Sequence, residues 1–359
     1  MKRLFACLAC LVLGCTNAEG PPLTIGHIAP GDDPQRAEAQ KQGLELVVKD
    51  LGDKADPALQ HRPLVIRFIS ANSPDEYESQ GVRLTSLSRS FALFGGTNLE
   101  ETERLDHLRV PLFSFAPRRT TSISESTFTM GLDPEDQAAA IVAWMKSKDL
   151  REATMVKSRQ SGSDPWAAAF PQAWKAQWGE VKASLSIVSD EHKLDAETLI
   201  LAGALDDESP LFKQIGEKTK RIIFVGGEAG AERVASLRRE NRDVYWTTAF
   251  AIDPATKTTG EFADKYQRAF GKPPQSDAVL AYDGLRMLLQ SMRTTRLASG
   301  DRLLKDLEAA TYNGVTGPVH IEKGRMHRPV FVVHATGETP TFDYRWMPEP
   351  TKKVDAAKK

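Results

Sequence analysis

FADKYQRAFGKPPQSDAVLAYDGLRMLLQSM, Phe262 to Met292, is the stretch whose packing decides the fold. In its first half Phe262, Tyr266, Ala269 and Phe270 recur at helical spacing, and in its second Ala278, Ala281, Tyr282, Leu285, Leu288 and Leu289 do the same. Gly271-Lys-Pro-Pro274 separates them. A proline has no N–H to donate and its ring clashes with the preceding turn, so no helix runs through this point. Two amphipathic helices result, and each needs an apolar surface to cover. The rest of the chain has to supply that surface.

Upstream, apolar strands alternate with helices. Leu23 to Ala29 reads as a strand, Asp33 as a helix cap with Pro34 at the first helical position, and Leu44, Val47, Val48 and Leu51 as that helix's apolar face. Pro63 to Ile69, Phe91 to Gly96 and Val110 to Pro117 are further strands, with helices over Pro74 to Leu87 and after Thr97. Continuous apolar runs between helices predict a parallel sheet covered on both faces. The alternation pauses at an Arg/Thr/Ser-rich loop, Arg118 to Ser126, and at a short strand, Phe128 to Leu132. It restarts at Asp133-Pro134 with a helix carrying Ala138, Ile141, Val142 and Met145. Strands follow at Ala153 to Lys157, Val181 to Val188, Thr198 to Gly203 and Arg221 to Gly227, with helices at Pro165 to Trp178, Pro210 to Gly216 and Ala231 to Arg239. Two α/β blocks therefore meet near residue 130. After Met292 come a helix, Asp301 to Ala310, a turn-rich lead from Thr311, and a β-hairpin ending at Pro329 to His334.

The 359 residues are 41% hydrophobic and 26% charged, an ordinary globular balance at a length that favours two domains. A net charge of −1 gives no basic patch for nucleic acid. Lys2 and Arg3 precede ten apolar residues, Leu4 to Leu13, too few to cross a bilayer and arranged as a secretory signal peptide. Val12-Leu13-Gly14-Cys15 resembles a bacterial lipobox, which implies a lipidated Cys15 as the mature N-terminus. Cys7 and Cys10 would leave with the signal, so the mature chain holds no disulfide and no cysteine metal site. Residues 348–359 are polar and lysine-rich, a disordered tail.

Two segments look alike: Phe91-Ala-Leu-Phe-Gly-Gly-Thr97 and Ile222-Ile-Phe-Val-Gly-Gly-Glu228, each an apolar strand, a glycine pair, a polar step and a helix. Glycines there let a ligand approach backbone N–H groups at strand carboxyl ends, where open sheets bind ligands; the plainer alternative is a pair of tight strand–helix turns. Catalytic motifs are missing: there is no G-x-S-x-G, no H-E-x-x-H, and Gly26-x-x-x-x-Gly31 lacks the P-loop lysine. His320, His327 and His334 fall across the hairpin and read as exposed or strand-end residues. Glu100-Glu101 and Asp206-Asp207-Glu208 read as solvated helix starts. No enzyme activity, cofactor or metal is expected.

With the Phe262–Met292 stretch, Tyr312-Asn-Gly-Val-Thr-Gly-Pro-Val319, and the spacing of Phe91–Thr97 to Val110–Pro117, the chain from Leu23 to about Gly337 resembles the type I periplasmic solute-binding proteins, in their branched-chain amino-acid binding branch. The resemblance implies an α/β fold of two Rossmann-like lobes, parallel sheets flanked by helices, joined by a three-strand hinge. Residues 1–14 would be the signal and 15–22 the tether. Lobe 1 would hold 23–131 and 253–317, lobe 2 132–252 and 318–347, with crossings near Met130, Ala251 and Gly317 to His320. It implies a ligand site with Gly96, Thr97, Arg118, Arg119, Thr120 and Thr121 on the first lobe and Glu228, pairing with an α-ammonium, on the second. Trp166 is the nearest candidate for the family's wall aromatic, and Ala204 and Leu205 stand where another aromatic is usual. Arg118 and Arg119, if turned inward, suggest an acidic ligand; turned outward they say nothing of it. The function implied is capture of a small polar solute for the permease subunits of an ABC importer, by a monomer held through Cys15 on the periplasmic side of a bacterial membrane. Thr16 in place of aspartate favours the outer membrane. The alternatives are a sensor or interaction protein of the same fold, and a lobe pair with an atypical apolar or bulky ligand.

Overall fold

The computed structural model describes residues 21–52, 59, 62–117, 122–157, 164–179, 184–189, 194–203, 210–226, 234–235, 237–238, 240–296, 299–336 and 340–348. Two sheets organise them. In the first, β1 (Leu23–Pro30), β2 (Leu64–Ala71), β3 (Ala92–Gly95), β4 (Leu112–Ser114) and β5 (Thr127–Thr129) run parallel in the order β2-β1-β3-β4-β5. In the second, β6 (Glu152–Lys157), β7 (Ser184–Ser189), β8 (Thr198–Ala202), β9 (Arg221–Val225) and β10 (Asp243–Thr248) run parallel in the order β7-β6-β8-β9-β10. The same doubly wound order, built twice, is what apolar strands alternating with helices demand.

The helices begin where capping chemistry places them. Asp33 accepts from the Arg36 N–H at the start of α1 (Pro34–Leu51), Ser73 from Glu76 at α2 (Pro74–Ser86), Asn98 from Glu101 at α3 (Leu99–Asp106), and Asp133 from Glu135 at α4 (Pro134–Ser147). Each such cap stabilises its helix by about 1 kcal/mol. α5 (Asp164–Trp178) follows in the second lobe, and Val234, Ala235, Leu237 and Arg238 are helical, whereas Pro210–Gln214 forms only a 3₁₀ turn in place of the expected helix.

The Phe262–Met292 stretch forms α6 (Lys257–Phe270), closed by Gly271 at φ 74°, and α7 (Ser276–Thr295). Both pack into the first lobe: Phe262, Tyr266, Leu285, Leu288 and Leu289 join one core with Ile25 and Phe94 of the sheet and Leu44 and Val47 of α1. α7 is buried on nearly all sides, wider than the stripe its spacing predicts, because α1 and α8 (Asp301–Ala309) flank it as it lies on the sheet. Each fully buried leucine there contributes on the order of 2 kcal/mol.

The third crossing differs from expectation. β11 (Thr311–Gly314), β12 (Gly317–Glu322) and β13 (Arg325–His327) continue the first sheet, β13 pairing with β5 through Arg325 and Thr129. Val319, Ile321 and Met326 belong to the first core, so residues 317–327 stay with lobe 1 and the chain crosses at Arg328-Pro329. β14 (Val330–His334) then joins β10, and β15 (Thr341–Trp346), a strand the sequence pattern did not signal, forms the second sheet's edge. The other crossings lie between β5 and α4 and between β10 and α6. All three leave from strand carboxyl ends, so these ends of both sheets adjoin the hinge.

Polar contacts tie the crossings together. Arg345 of β15 donates to Asp253 at 3.1 Å and to the Thr316 carbonyl at 2.7 Å. Arg325 lies 3.2 Å from Asp133, and His327 Nδ1 is 2.8 Å from Asp136, joining β13 to α4. His320 and His327 stack across the strand pair with centroids 5.1 Å apart, and His327 and His334 end β13 and β14, so the expected strand-end placing fits these two while all three are half-buried and not exposed. Burial disfavours a charge on His327, but the hydrogen bond and charge of Asp136 outweigh it and raise its pKa.

Candidate functional site

The carboxyl ends of β1, β3 and β4 form the first lobe's rim. Gly96 follows β3 at φ 79°, and a Cβ there would sit 2.9 Å from the Thr102 hydroxyl, so the turn requires glycine. Its carbonyl accepts from the Phe115 N–H at 2.8 Å and from Ser114 Oγ at 3.1 Å, holding β3 and β4 together at the rim.

Thr97 is the next residue, and its two donors are already engaged. The Glu101 carboxylate, one turn into α3, accepts the Thr97 N–H at 2.6 Å and its hydroxyl at 2.9 Å through the same oxygen. This is a variant of the capping box, with Asn98 serving Glu101 in return at 3.0 Å. Glu101 is thus part of the turn and not the freely solvated acid expected from its place in the first turn of a helix. On the neighbouring strand end the Ala116 N–H is held by Ser114 Oγ at 3.1 Å, and Pro117 has no N–H.

The second glycine turn follows the same logic. Gly226, at φ 87°, donates its N–H to Gln137 Oε1 at 2.8 Å, and that oxygen also takes the Thr247 hydroxyl at 2.7 Å. The Gln137 amide in turn donates to the Leu132 carbonyl at 2.8 Å, so a residue at the first crossing pins the turn. Trp166, in the first turn of α5, is buried with its ring against Gly226 and within the second core. At Thr97 and Gly226, then, the donors serve the protein's own side chains, as tight strand–helix turns. Arg118, Arg119, Thr120, Thr121, Glu228, Ala204, Leu205 and Cys15 lie outside the described residues.

Several rim residues carry no motif and went unnoticed in the sequence. Arg36, in the first turn of α1, bonds Asp277 at 2.5 Å through Nε and reaches the Phe115 carbonyl at 3.5 Å. Gln40 donates to Asp277 at 2.8 Å and lies 3.1 Å from His27 Nε2. Tyr77 of α2 is buried, its hydroxyl turned toward Glu101. Burial first, then the nearby charges of Glu101 and Asp32, push its ionisation far up, while Arg36 opposes them. The signals were faint ones: a charged residue one turn into each of two helices, where spacing alone cannot distinguish a cleft from solvent.

A groove of about 290 Å³ runs from the carboxyl end of β1, at Pro30 and Gly31, along the flank between α1 and the edge strand β2, past His27, Lys41, Glu38 and Phe68. Thr97 does not line it. Among the described residues no group of three or more His, Cys, Asp or Glu could hold a metal ion, and no helix is long and apolar enough to cross a membrane.

Comparison with known proteins fits this architecture. The family model described as periplasmic binding protein matches residues 70–339. No curated protein sequence matches the chain. The branched-chain amino acid transporter substrate binding protein LivJ of Streptococcus pneumoniae, solved with isoleucine, superposes with a TM-score of 0.71 at 16% identity, over 92% of this chain and 100% of that one. A solute binding protein of an ABC transporter from Rhodopseudomonas palustris, solved with 3,4-dihydroxybenzoic acid, gives 0.69 at 16% identity, over 91% and 97%. The leucine-, isoleucine-, valine-, threonine- and alanine-binding protein of Brucella ovis, in a closed conformation, gives 0.72 at 11%, over 91% and 95%. At these identities the likeness is one of fold.

Proposed function

The chain belongs to the periplasmic binding protein family, and from that premise we propose that it captures one small polar solute between its lobes and delivers it to the membrane subunits of an ABC importer. The observation that carries this reading is the pair of doubly wound sheets whose three connections all leave from strand carboxyl ends. That arrangement lets two nearly rigid bodies rotate about a short hinge and close on a ligand. It offers a binding surface between two bodies, and capture is the reading it supports.

The finer features are part of the same proposal. Cys15 carries a lipid that tethers the protein on the periplasmic side of a bacterial membrane, Thr16 directing it outward. Glu228 faces a ligand amine from the second lobe, and the Arg118–Thr121 loop contributes polar contacts from the first. Trp166 backs the second-lobe turn from behind. The lobes act as a monomer.

A thermal-shift screen of the full chain across amino acids, amides, aromatic acids and dicarboxylates tests capture, because a ligand bound only by the folded state raises Tm. One compound is expected to stabilise it and to titrate at one per chain by calorimetry. No stabilising compound in any class, together with small-angle scattering unchanged by all of them, would count against the proposal. Cys15→Ser should release the protein from membranes; retention would remove the anchor from it.

A further inference from the structure

The first-lobe turn that would be expected to receive a ligand carboxylate already contains one. Both Thr97 donors converge on one oxygen of Glu101, the Ala116 N–H is engaged by Ser114, and Pro117 offers none. A second carboxylate arriving here would find no free neutral donor at these positions and would lie against a like charge, an arrangement that disfavours ionisation of both. The described cation of the rim, Arg36, is balanced by Asp277.

What the turn does offer is an acceptor. Thr97 engages only one of the two Glu101 oxygens, and Glu101 is only partly buried. Beside it lies Tyr77, 1% exposed, whose hydroxyl is turned toward the Glu101 carboxylate. Burial, the charge of Glu101 and a hydrogen bond to it all hold the tyrosine proton in place, so the hydroxyl steadies the carboxylate. A carboxylate has about four acceptor sites, more than Thr97 and Tyr77 fill, so a ligand group bearing N–H or O–H can still donate to Glu101.

We propose that Glu101, supported by Tyr77, sets the specificity of the first lobe, excluding a carboxylate from the Gly96–Thr97 turn and accepting a neutral or cationic hydrogen-bond donor such as an amide, hydroxyl or amine. The proposal rests on the capture reading and narrows its ligand class. The glutamate cannot be replaced by its amide without changing the preference, although glutamine preserves the turn, since its carbonyl can still accept from Thr97.

Matched ligand pairs that differ only at the carboxyl group provide the test. Calorimetry of the full chain at pH 7.5 would compare L-isoleucine with L-isoleucinamide, and 3,4-dihydroxybenzoate with 3,4-dihydroxybenzamide. In the wild type the amide of at least one pair is expected to bind about tenfold more tightly or better, and Glu101→Gln should bring that ratio to near one without lowering Tm by more than a few degrees. An acid bound as well as its amide by the wild type would overturn the proposal, as would a ratio that Glu101→Gln leaves unchanged. If the wild type binds neither member of either pair, Glu101→Ala, which frees both Thr97 donors, has to gain binding of an acid; no gain overturns the proposal. Failure of the wild type to bind any solute in the wider screen is a different result and overturns capture itself.

Discussion

His27 lies wholly inside the first lobe, its Nε2 3.1 Å from Gln40 and its Nδ1 without a hydrogen bond. Desolvation dominates its ionisation and lowers the pKa to about 4; the Gln40 bond and Asp277 resist the shift and Lys41 adds to it. Because the folded state holds the proton less tightly than the unfolded chain, this residue's contribution is complete above pH 6.5 and is lost as the pH falls toward 4. The shift corresponds to about 3 kcal/mol. Thermal melts between pH 7 and pH 4 should therefore show a steep acid loss of stability that His27→Gln flattens by an amount of that order. An equally steep profile in the variant would mean that carboxylates alone produce the loss. At this scale the sequence was only partly legible. His27 stands in a strand by its surroundings, Leu23 to Ala29, but the alternation of side chains does not say whether an acceptor awaits it, and Gln40 arrives thirteen positions later on another element.

Helix packing turns on positions where a side chain is missing. Gly43 of α1 faces α7, where an added Cβ would press into the Ala278 carbonyl, whereas Gly260 of α6 has nothing within 4 Å. Gly43→Ala is expected to destabilise by about 1–3 kcal/mol, overpacking outweighing the gain in helix propensity. Gly260→Ala, free of contact, should stabilise by about 0.5–1 kcal/mol. Urea denaturation of the pair decides the matter; stabilisation of similar size in both would show that α1 and α7 can shift apart freely. The existence of these helices was readable from apolar spacing and from Asp33-Pro34 and Gly271. Their closeness was not, because a mid-helix glycine looks the same whether it faces water or a neighbouring backbone. The pattern of α7 likewise suggested one apolar stripe, and burial on almost every side emerges only with α1 and α8 in place.

The whole molecule is joined through a strip of chain that holds a fully buried ion pair. Arg328, at the third crossing, lies 3.5 Å from Asp283 of α7, with neither side chain more than 1% exposed. Burial drives both toward their neutral forms, raising Asp283 and lowering Arg328, and each opposes the shift in the other. Asp283 also accepts the Val315 N–H at 3.0 Å. Arg328→Met strands the carboxylate and should cost about 3–5 kcal/mol, while adding Asp283→Asn, which keeps an acceptor for Val315, should recover much of it. Strictly additive losses in a denaturant double-mutant cycle would show that the pair is not coupled. Of the three crossings only this third one lies away from its expected place, about ten residues beyond it, since Gly317-Pro318 looks like a boundary and Arg328-Pro329 looks like the inside of a hairpin.

Local chemistry determined the elements: apolar runs gave strands, 3.6-residue spacing gave helices, and proline, glycine and capping residues gave their ends, so two α/β blocks and the return of Phe262–Met292 to the first of them were present in the chain order. Sheet membership of β12 and β13 was decided by pairing with β5, a contact between segments almost two hundred residues apart that no local pattern encodes. The same holds for the rim. Glycine, threonine and glutamate announced a polar turn, yet whether its donors face a ligand or their own helix depends on where the Glu101 carboxylate comes to rest, and that is set by the angle at which α3 leaves β3. Hydrogen bonds are satisfied by whichever partner lies nearest in space, and only the folded chain fixes which partner that is.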